Sequence, residues 1–129
     1  MSRPRIQHVS IPRPPDSHAQ TRAFYGELLG LEEKPVPETI RHLDLIWYNI
    51  GADQELHLFT EEPLDDRSGR HFCIEVDDLA ALRERLISAG HEPWDAEPIH
   101  NRPRFFCRDA FGNTVEFTTI LGDYREGGA

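Results

Sequence analysis

The chain has little positive charge. Its 129 residues carry 14 Lys and Arg against 23 Asp and Glu, a formal charge of −9. Phosphate backbones and anionic bilayers are held by basic footprints, so neither nucleic acid nor a membrane surface is expected as the main partner. Arg3, Arg5 and Arg13 make the start locally basic, but Pro4, Pro12, Pro14 and Pro15 stand among them, and that stretch reads as an exposed edge rather than a binding arm. Cysteine is also scarce. Cys73 and Cys107 stand apart in separate strand-like stretches; they form no CxxC pair and are expected as free thiols. No run is long and apolar enough to span a bilayer, and no apolar stretch follows Met1–Arg5 to make a signal peptide. A cytoplasmic location is the resulting expectation. The length suits one domain, or two small modules sharing one core.

What is present is a pattern that occurs twice. In the first half, residues 5–11 alternate as a strand that the following prolines end. Asp16 or Ser17 caps a helix to about Leu29, with Phe24, Leu28 and Leu29 on its inner stripe and Gly30 as its stop. A short strand over 31–36, a strand over 43–50, a turn at Gly51-Ala52-Asp53 and a hairpin return over 54–60 follow. Residues 61–69 are polar and acidic and mark the boundary. The second half repeats the order: strand 70–76, helix 78–89 capped by Asp77-Asp78 and ended by Gly90, a short strand near 91–94, strand 104–108, turn 109–113 and closing strand 114–120. The tail from Gly122 is polar, Gly-rich and expected to be mobile. The fold class is therefore α+β, with two βαβββ modules of about 5–62 and 68–121, each a helix over one face of a curved sheet; side by side they would enclose a cleft.

Sorting the strands by parity separates two faces. One is apolar: Val9 and Ile11, Leu56 and Leu58, Phe72, Ile74 and Val76, Val115 and Phe117. It should pack on the helices. The other carries His8 and Ser10, Glu55 and His57, His71, Cys73 and Glu75, Thr114, Glu116 and Thr118. Every strand of this polar face has an imidazole or a carboxylate. If these strands line one cleft, three imidazoles and a carboxylate converge, and such groups ligate Zn²⁺, Fe²⁺, Mn²⁺, Co²⁺ and Ni²⁺. Trp47 and Tyr48 are adjacent, so only one of them points into the cleft. Arg104 or Arg108 is the candidate clamp for an anionic substrate, because a guanidinium pairs with carboxylate or phosphate through two parallel hydrogen bonds. His18, His42, His91 and His100 read as surface residues.

The stretches His8-Val9-Ser10-Ile11, Phe24-Tyr25-Gly26-Glu27-Leu28-Leu29-Gly30-Leu31, Leu56-His57-Leu58-Phe59, His71 to Leu79 and Asp109 to Phe117 resemble the vicinal oxygen chelate superfamily, the glyoxalase I, bleomycin-resistance and ring-cleaving dioxygenase group. The resemblance covers about residues 5–121. It implies a glyoxalase-like fold, a cup around a divalent metal ion (Zn²⁺, Ni²⁺, Mn²⁺, Fe²⁺ or Co²⁺), a homodimer and a small-molecule substrate. Carried to this chain, the ligand positions are His8, His57, His71 and Glu116. Glu55, two residues from His57 on the same face, is the rival for the fourth-strand position of the first module. Glu116 doubles as the candidate catalytic base, and Glu55, Trp47, Arg104 and Arg108 are the candidate substrate contacts. The implied activity is that of a small lyase, isomerase or transferase that chelates an oxygenated molecule and stabilises an enolate or oxyanion. A metal-free drug-sequestering protein and an Fe²⁺ extradiol dioxygenase are the rival readings.

Overall fold

The computed structural model describes residues 3–63 and 68–127. It falls into two compact units, 1–64 and 65–129, and each is a four-stranded mixed sheet with helical segments. In the linker expected over 61–69, residues 64–67 lie outside the described residues, as do the last two residues of the tail.

Unit 1 contains strands β1 (His8–Arg13), β2 (Glu32–Lys34), β3 (Ile46–Ile50) and β4 (Gln54–Thr60). Their order is β1-β4-β3-β2. The edge strand β1 runs parallel to β4, and the other neighbours are antiparallel. Three expectations are corrected here. First, β1 does not stop before the prolines: it continues through Pro12, paired opposite Phe59, to Arg13. An edge strand tolerates proline because one of its sides lacks a hydrogen-bonding neighbour. Second, Arg13 is not exposed but fully buried. Its guanidinium donates to the carbonyl of Asp44 at 2.7 Å, to Asp44 Oδ1 at 2.9 Å and to Ser17 Oγ at 3.2 Å, so the buried charge is paired, as burial demands.

The third correction concerns the helix. Only His18–Thr21 (α1) is α-helical; Arg22–Leu28 winds on as a π-helix, its last turn closed by Leu29 N donating to Phe24 O at 3.0 Å. Ser17 does not cap it with its side chain, because its hydroxyl donates to Pro14 O. The wider turn rotates the expected i, i+4 stripe away from the sheet. Phe24 and Tyr25 are buried, whereas Leu28 and Leu29 are only half-buried. A 3₁₀ turn, Glu38–Leu43, replaces the first part of the strand expected from residue 43.

Unit 2 follows the same plan with β5 (Phe72–Glu75), β6 (Trp94–Asp95), β7 (Arg104–Arg108) and β8 (Thr114–Thr118), in the order β5-β8-β7-β6. Helix α2 is Leu79–Ser88. It starts where Asp78 Oδ1 accepts the Ala81 N–H at 3.0 Å, and it buries Leu82 and Leu86 one turn apart. The β7–β8 turn is built on buried Asp109, whose carboxylate accepts from Phe111 N, Asn113 N and Asn113 Nδ2; Gly112 supplies the positive φ of +95°. The start of the tail is joined to the 99–102 loop. Leu121 N donates to Asn101 O at 2.8 Å, Asn101 Nδ2 donates to Asp123 O at 2.9 Å, and Arg102 lies over the Tyr124 ring.

The apolar faces form the cores. Leu56, Leu58, Val115 and Phe117 are fully buried, and Ile11 and Ile74 nearly so.

Candidate metal and substrate face

Each unit carries its polar residues on the sheet face opposite its core. In unit 1 the ladders align Ser10, His57, Trp47 and Lys34 in one row across the four strands, with His8 opposite Glu55 in the next row. In unit 2 the corresponding row is Cys73, Glu116, Phe106 and Trp94. Superposing the two ladders, with Ser10 on Cys73, places His57 on Glu116, Trp47 on Phe106 and Lys34 on Trp94. His8 then falls on His71, which lies one residue before β5.

The two rows differ in chemistry. In unit 1, His57 is buried and stacked on both sides. The Trp47 ring lies parallel to it at 3.7 Å, and the His8 ring faces it at 4.1 Å from the strand on the other flank. Tyr48 points into the core, so Trp47 is the aromatic residue of the pair that reaches the polar face. Glu55 Oε1 lies 2.8 Å from His57 Nε2, and Glu55 Oε2 lies 2.5 Å from Lys34 Nζ. Those bonds, first from Lys34 and then from His57, hold the Glu55 carboxyl down at about 2. Burial pushes the His57 imidazole below its ordinary value. A neutral imidazole donating Nε2–H to Glu55 satisfies this arrangement and leaves the His57 lone pair on Nδ1. His8 Nδ1 lies 2.8 Å from Gln7 Oε1, a side-chain acceptor, which leaves Nε2 of His8 as its lone-pair atom.

In unit 2 the pair does not close on itself. His71 Nδ1 is 2.7 Å from the carbonyl oxygen of Gly69, which can only accept. The hydrogen-bond network therefore puts the proton of a neutral ring on Nδ1 and the lone pair on Nε2. Nε2 faces Glu116 Oε1 at 3.0 Å. Two lone-pair atoms at that distance repel unless a proton or a cation joins them. Two neighbouring ligands of an octahedral cation, each ~2.1 Å from it and ~90° apart, lie ~3.0 Å from each other. A ligating histidine whose other nitrogen donates to a backbone carbonyl is the usual support of a metal centre. His71 and Glu116 have the chemistry to share a divalent cation, and a proton on His71 Nε2 serves the same pair equally. Arg104 Nη1 holds Glu116 Oε2 at 3.1 Å, and the Phe106 ring meets His71 edge-on at 4.9 Å. Among the described residues, no three His, Cys, Asp or Glu side chains are grouped so as to hold a metal ion. The structure brings the four expected ligands together as pairs, His8 with His57 and His71 with Glu116.

Sequence comparison accords with this architecture. The Glyoxalase/Bleomycin resistance protein/Dioxygenase superfamily profile matches residues 5–117. The chain belongs to this superfamily. A crystal structure of a glyoxalase family protein from Bacillus anthracis is similar to it, with 31% identity over 93% of this chain and 98% of that one and a TM-score of 0.82. The fold is shared with the fosfomycin resistance protein FosX from Listeria monocytogenes (14% identity, 94% of each chain, TM-score 0.75). It is shared also with a lactoylglutathione lyase from Agrobacterium tumefaciens (22% identity, 89% of this chain and 92% of that one, TM-score 0.60). No protein of curated function matches the chain.

Two features were not foreseen from the sequence: the Lys34 clamp on Glu55 and the Gly69 carbonyl behind His71. Lys34 is the only lysine in the chain, but its reach across β3 depends on strand order. A backbone carbonyl leaves no signature in a sequence. Arg104 and Arg108 both lie on the polar side of β7, and Glu75 is exposed.

Proposed function

We propose that the chain is a divalent-metal-dependent enzyme of this superfamily, a small lyase, isomerase or transferase acting on an oxygenated small molecule, with His8, His57, His71 and Glu116 as the metal ligands. The observation that carries the proposal is His71 Nε2 facing Glu116 Oε1 at 3.0 Å while Nδ1 is committed to Gly69 O. The ladder equivalence supports His57 rather than Glu55 as the fourth-strand ligand of unit 1. Glu55 has both oxygens engaged, whereas His57 keeps a lone pair.

The metal would supply Lewis acidity, polarising an oxygen of the chelated substrate. The chain supplies the rest. Gly69 O fixes the His71 tautomer. Arg104 holds Glu116 by one oxygen and leaves the other toward His71, where the carboxylate can also take a proton from a substrate carbon or hydroxyl. Trp47 and Phe106 occupy equivalent places in their sheets and give each polar face an apolar wall that excludes water.

The test is metal content by elemental mass spectrometry, on tagless protein purified without chelators, beside the double variant His71→Ala, Glu116→Ala. Near-stoichiometric metal in the parent and none in the variant is expected. A parent that stays metal-free after incubation with Zn²⁺, Mn²⁺, Ni²⁺ and Fe²⁺ overturns the reading in favour of metal-free ligand sequestration.

A further inference from the structure

Two arginines lie four residues apart on the same side of β7, at its two ends, each with its guanidinium over an aromatic ring. Arg104 lies over Phe106 at 5.7 Å, and Arg108 lies over Trp94 at 5.7 Å. They differ in what their donors do. Arg104 is fully engaged: Nη1 donates to Glu116 Oε2, and Nε and Nη2 donate to the carbonyl of Glu97. The guanidinium of Arg108 has no hydrogen-bond or ion-pair acceptor among the described residues. It opens onto a shallow surface cleft of about 410 Å³ lined by Gly90, His91, Glu92, Trp94, Arg108 and Asp109. The Asp109 carboxylate in that wall is bonded to the β7–β8 turn, so Glu92 is the acidic side chain there without such an engagement. A guanidinium within cation–π range of the indole, with its N–H groups not engaged, can receive a carboxylate or phosphate through paired bonds.

The cavity is linked to the pair already described. The Trp94 and Phe106 rings lie 5.6 Å apart at 17°, and Phe106 touches His71. Trp94, Phe106 and Glu116 belong to one row across three adjacent strands, which at the usual strand spacing places the two ends ~10 Å apart. We infer that Arg108 and Trp94 form an anion-binding subsite, which takes the carboxylate or phosphate end of an elongated ligand with a flat apolar body. Arg104, the other candidate clamp, is instead a positioning residue for Glu116. Describing the ligand as the substrate rests on the function proposed above; the subsite itself does not.

The test uses a pair of probes of the same size and shape, benzoate and benzamide, titrated calorimetrically into the full chain after EDTA treatment. Benzoate is expected to bind saturably, and benzamide at least tenfold more weakly. Arg108→Met, which keeps the apolar stem, should weaken benzoate at least tenfold. Trp94→Ala should weaken both probes, with circular dichroism confirming the fold of each variant. Inorganic phosphate competing with benzoate separates anion recognition from ring stacking. Equal binding of the two probes, unchanged benzoate binding in Arg108→Met, or no saturable benzoate binding overturns the inference. Because the metal has been removed, these outcomes are independent of the metal-content experiment. Untreated Arg108→Met should hold as much metal as the parent.

Discussion

The polar faces of the two units occupy equivalent ladders and have opposite characters. In unit 1 an imidazole and a carboxylate satisfy each other: His57 gives its Nε2–H to Glu55, Lys34 neutralises the remaining oxygen, and two rings cover the imidazole. In unit 2 the Gly69 carbonyl takes the proton on His71 Nδ1, so Nε2 meets Glu116 Oε1 across 3.0 Å, a gap that a second ring proton or a cation fills. In unit 1 the partner of the imidazole's proton is a side chain, and in unit 2 it is the backbone. The comparison teaches that equivalent positions of one fold can hold an imidazole by different partners and so present different ring atoms to the polar face.

The strongest way to break the comparison is to disturb what, among the described residues, only unit 1 has, a buried arginine. Asp44→Asn removes the carboxylate from fully buried Arg13, which keeps the Asp44 carbonyl and Ser17 Oγ. A loss of about 2 kcal/mol in urea unfolding is expected. The same variant gives the sign of the pH dependence. Burial works against ionisation of Asp44, but hydrogen bonds from His18 and the charge and hydrogen bond of Arg13 hold its carboxyl below the ordinary value. A depressed carboxylate contributes stability above its unfolded value and loses it as pH falls through its lower, folded value. The stability gap between parent and Asp44→Asn should therefore be constant near neutrality and close as acid titrates Asp44. A gap that widens in acid contradicts the assignment.

Replacing the two histidines sharpens the contrast. His57→Ala removes a buried ring stacked on Trp47 and should cost about 1.5 kcal/mol. His71→Ala removes a partly exposed ring and should cost under about 0.5 kcal/mol, while reducing metal content far more than its stability changes. Equal stability losses in the two variants would mean that His71 is packing as well.

A smaller effect than that of His57→Ala separates the helices. Asp78→Ala removes the side-chain cap of α2 and should cost about 1 kcal/mol with a loss of helical circular dichroism. Ser17→Ala should leave the helical signal unchanged, since the Ser17 side chain makes no cap hydrogen bond, and should act through its contacts with Arg13 and the Pro14 carbonyl.

Much of this was legible in the residues. The alternation of Leu56, His57 and Leu58 and of Phe72, Cys73 and Ile74 set the strands and their two faces, because side chains on a strand point alternately to opposite sides. Asp78 and Gly90 marked the limits of α2 because only particular residues satisfy a helix end. Other features were not legible. The helix of unit 1 changes to a π-helix although its sequence carries an α-helical stripe, and Arg13 beside three prolines looks exposed until β4 and Asp44 enclose it. Local propensity cannot report either, since both are decided by what packs against the segment.

The sequence by itself determined the two repeated βαβββ patterns, the separation of a polar from an apolar face, and which imidazoles and carboxylates stand on the polar one. These follow from periodicity and from the cost of burying polar groups. Only the tertiary structure decided that His57 gives its Nε2 to Glu55 while His71 gives its Nδ1 to the Gly69 carbonyl, and that Arg104 is engaged while Arg108 is not. Those distinctions depend on hydrogen-bond partners brought from other strands and from the backbone, and a hydrogen bond exists only when donor and acceptor are within about 3 Å of each other.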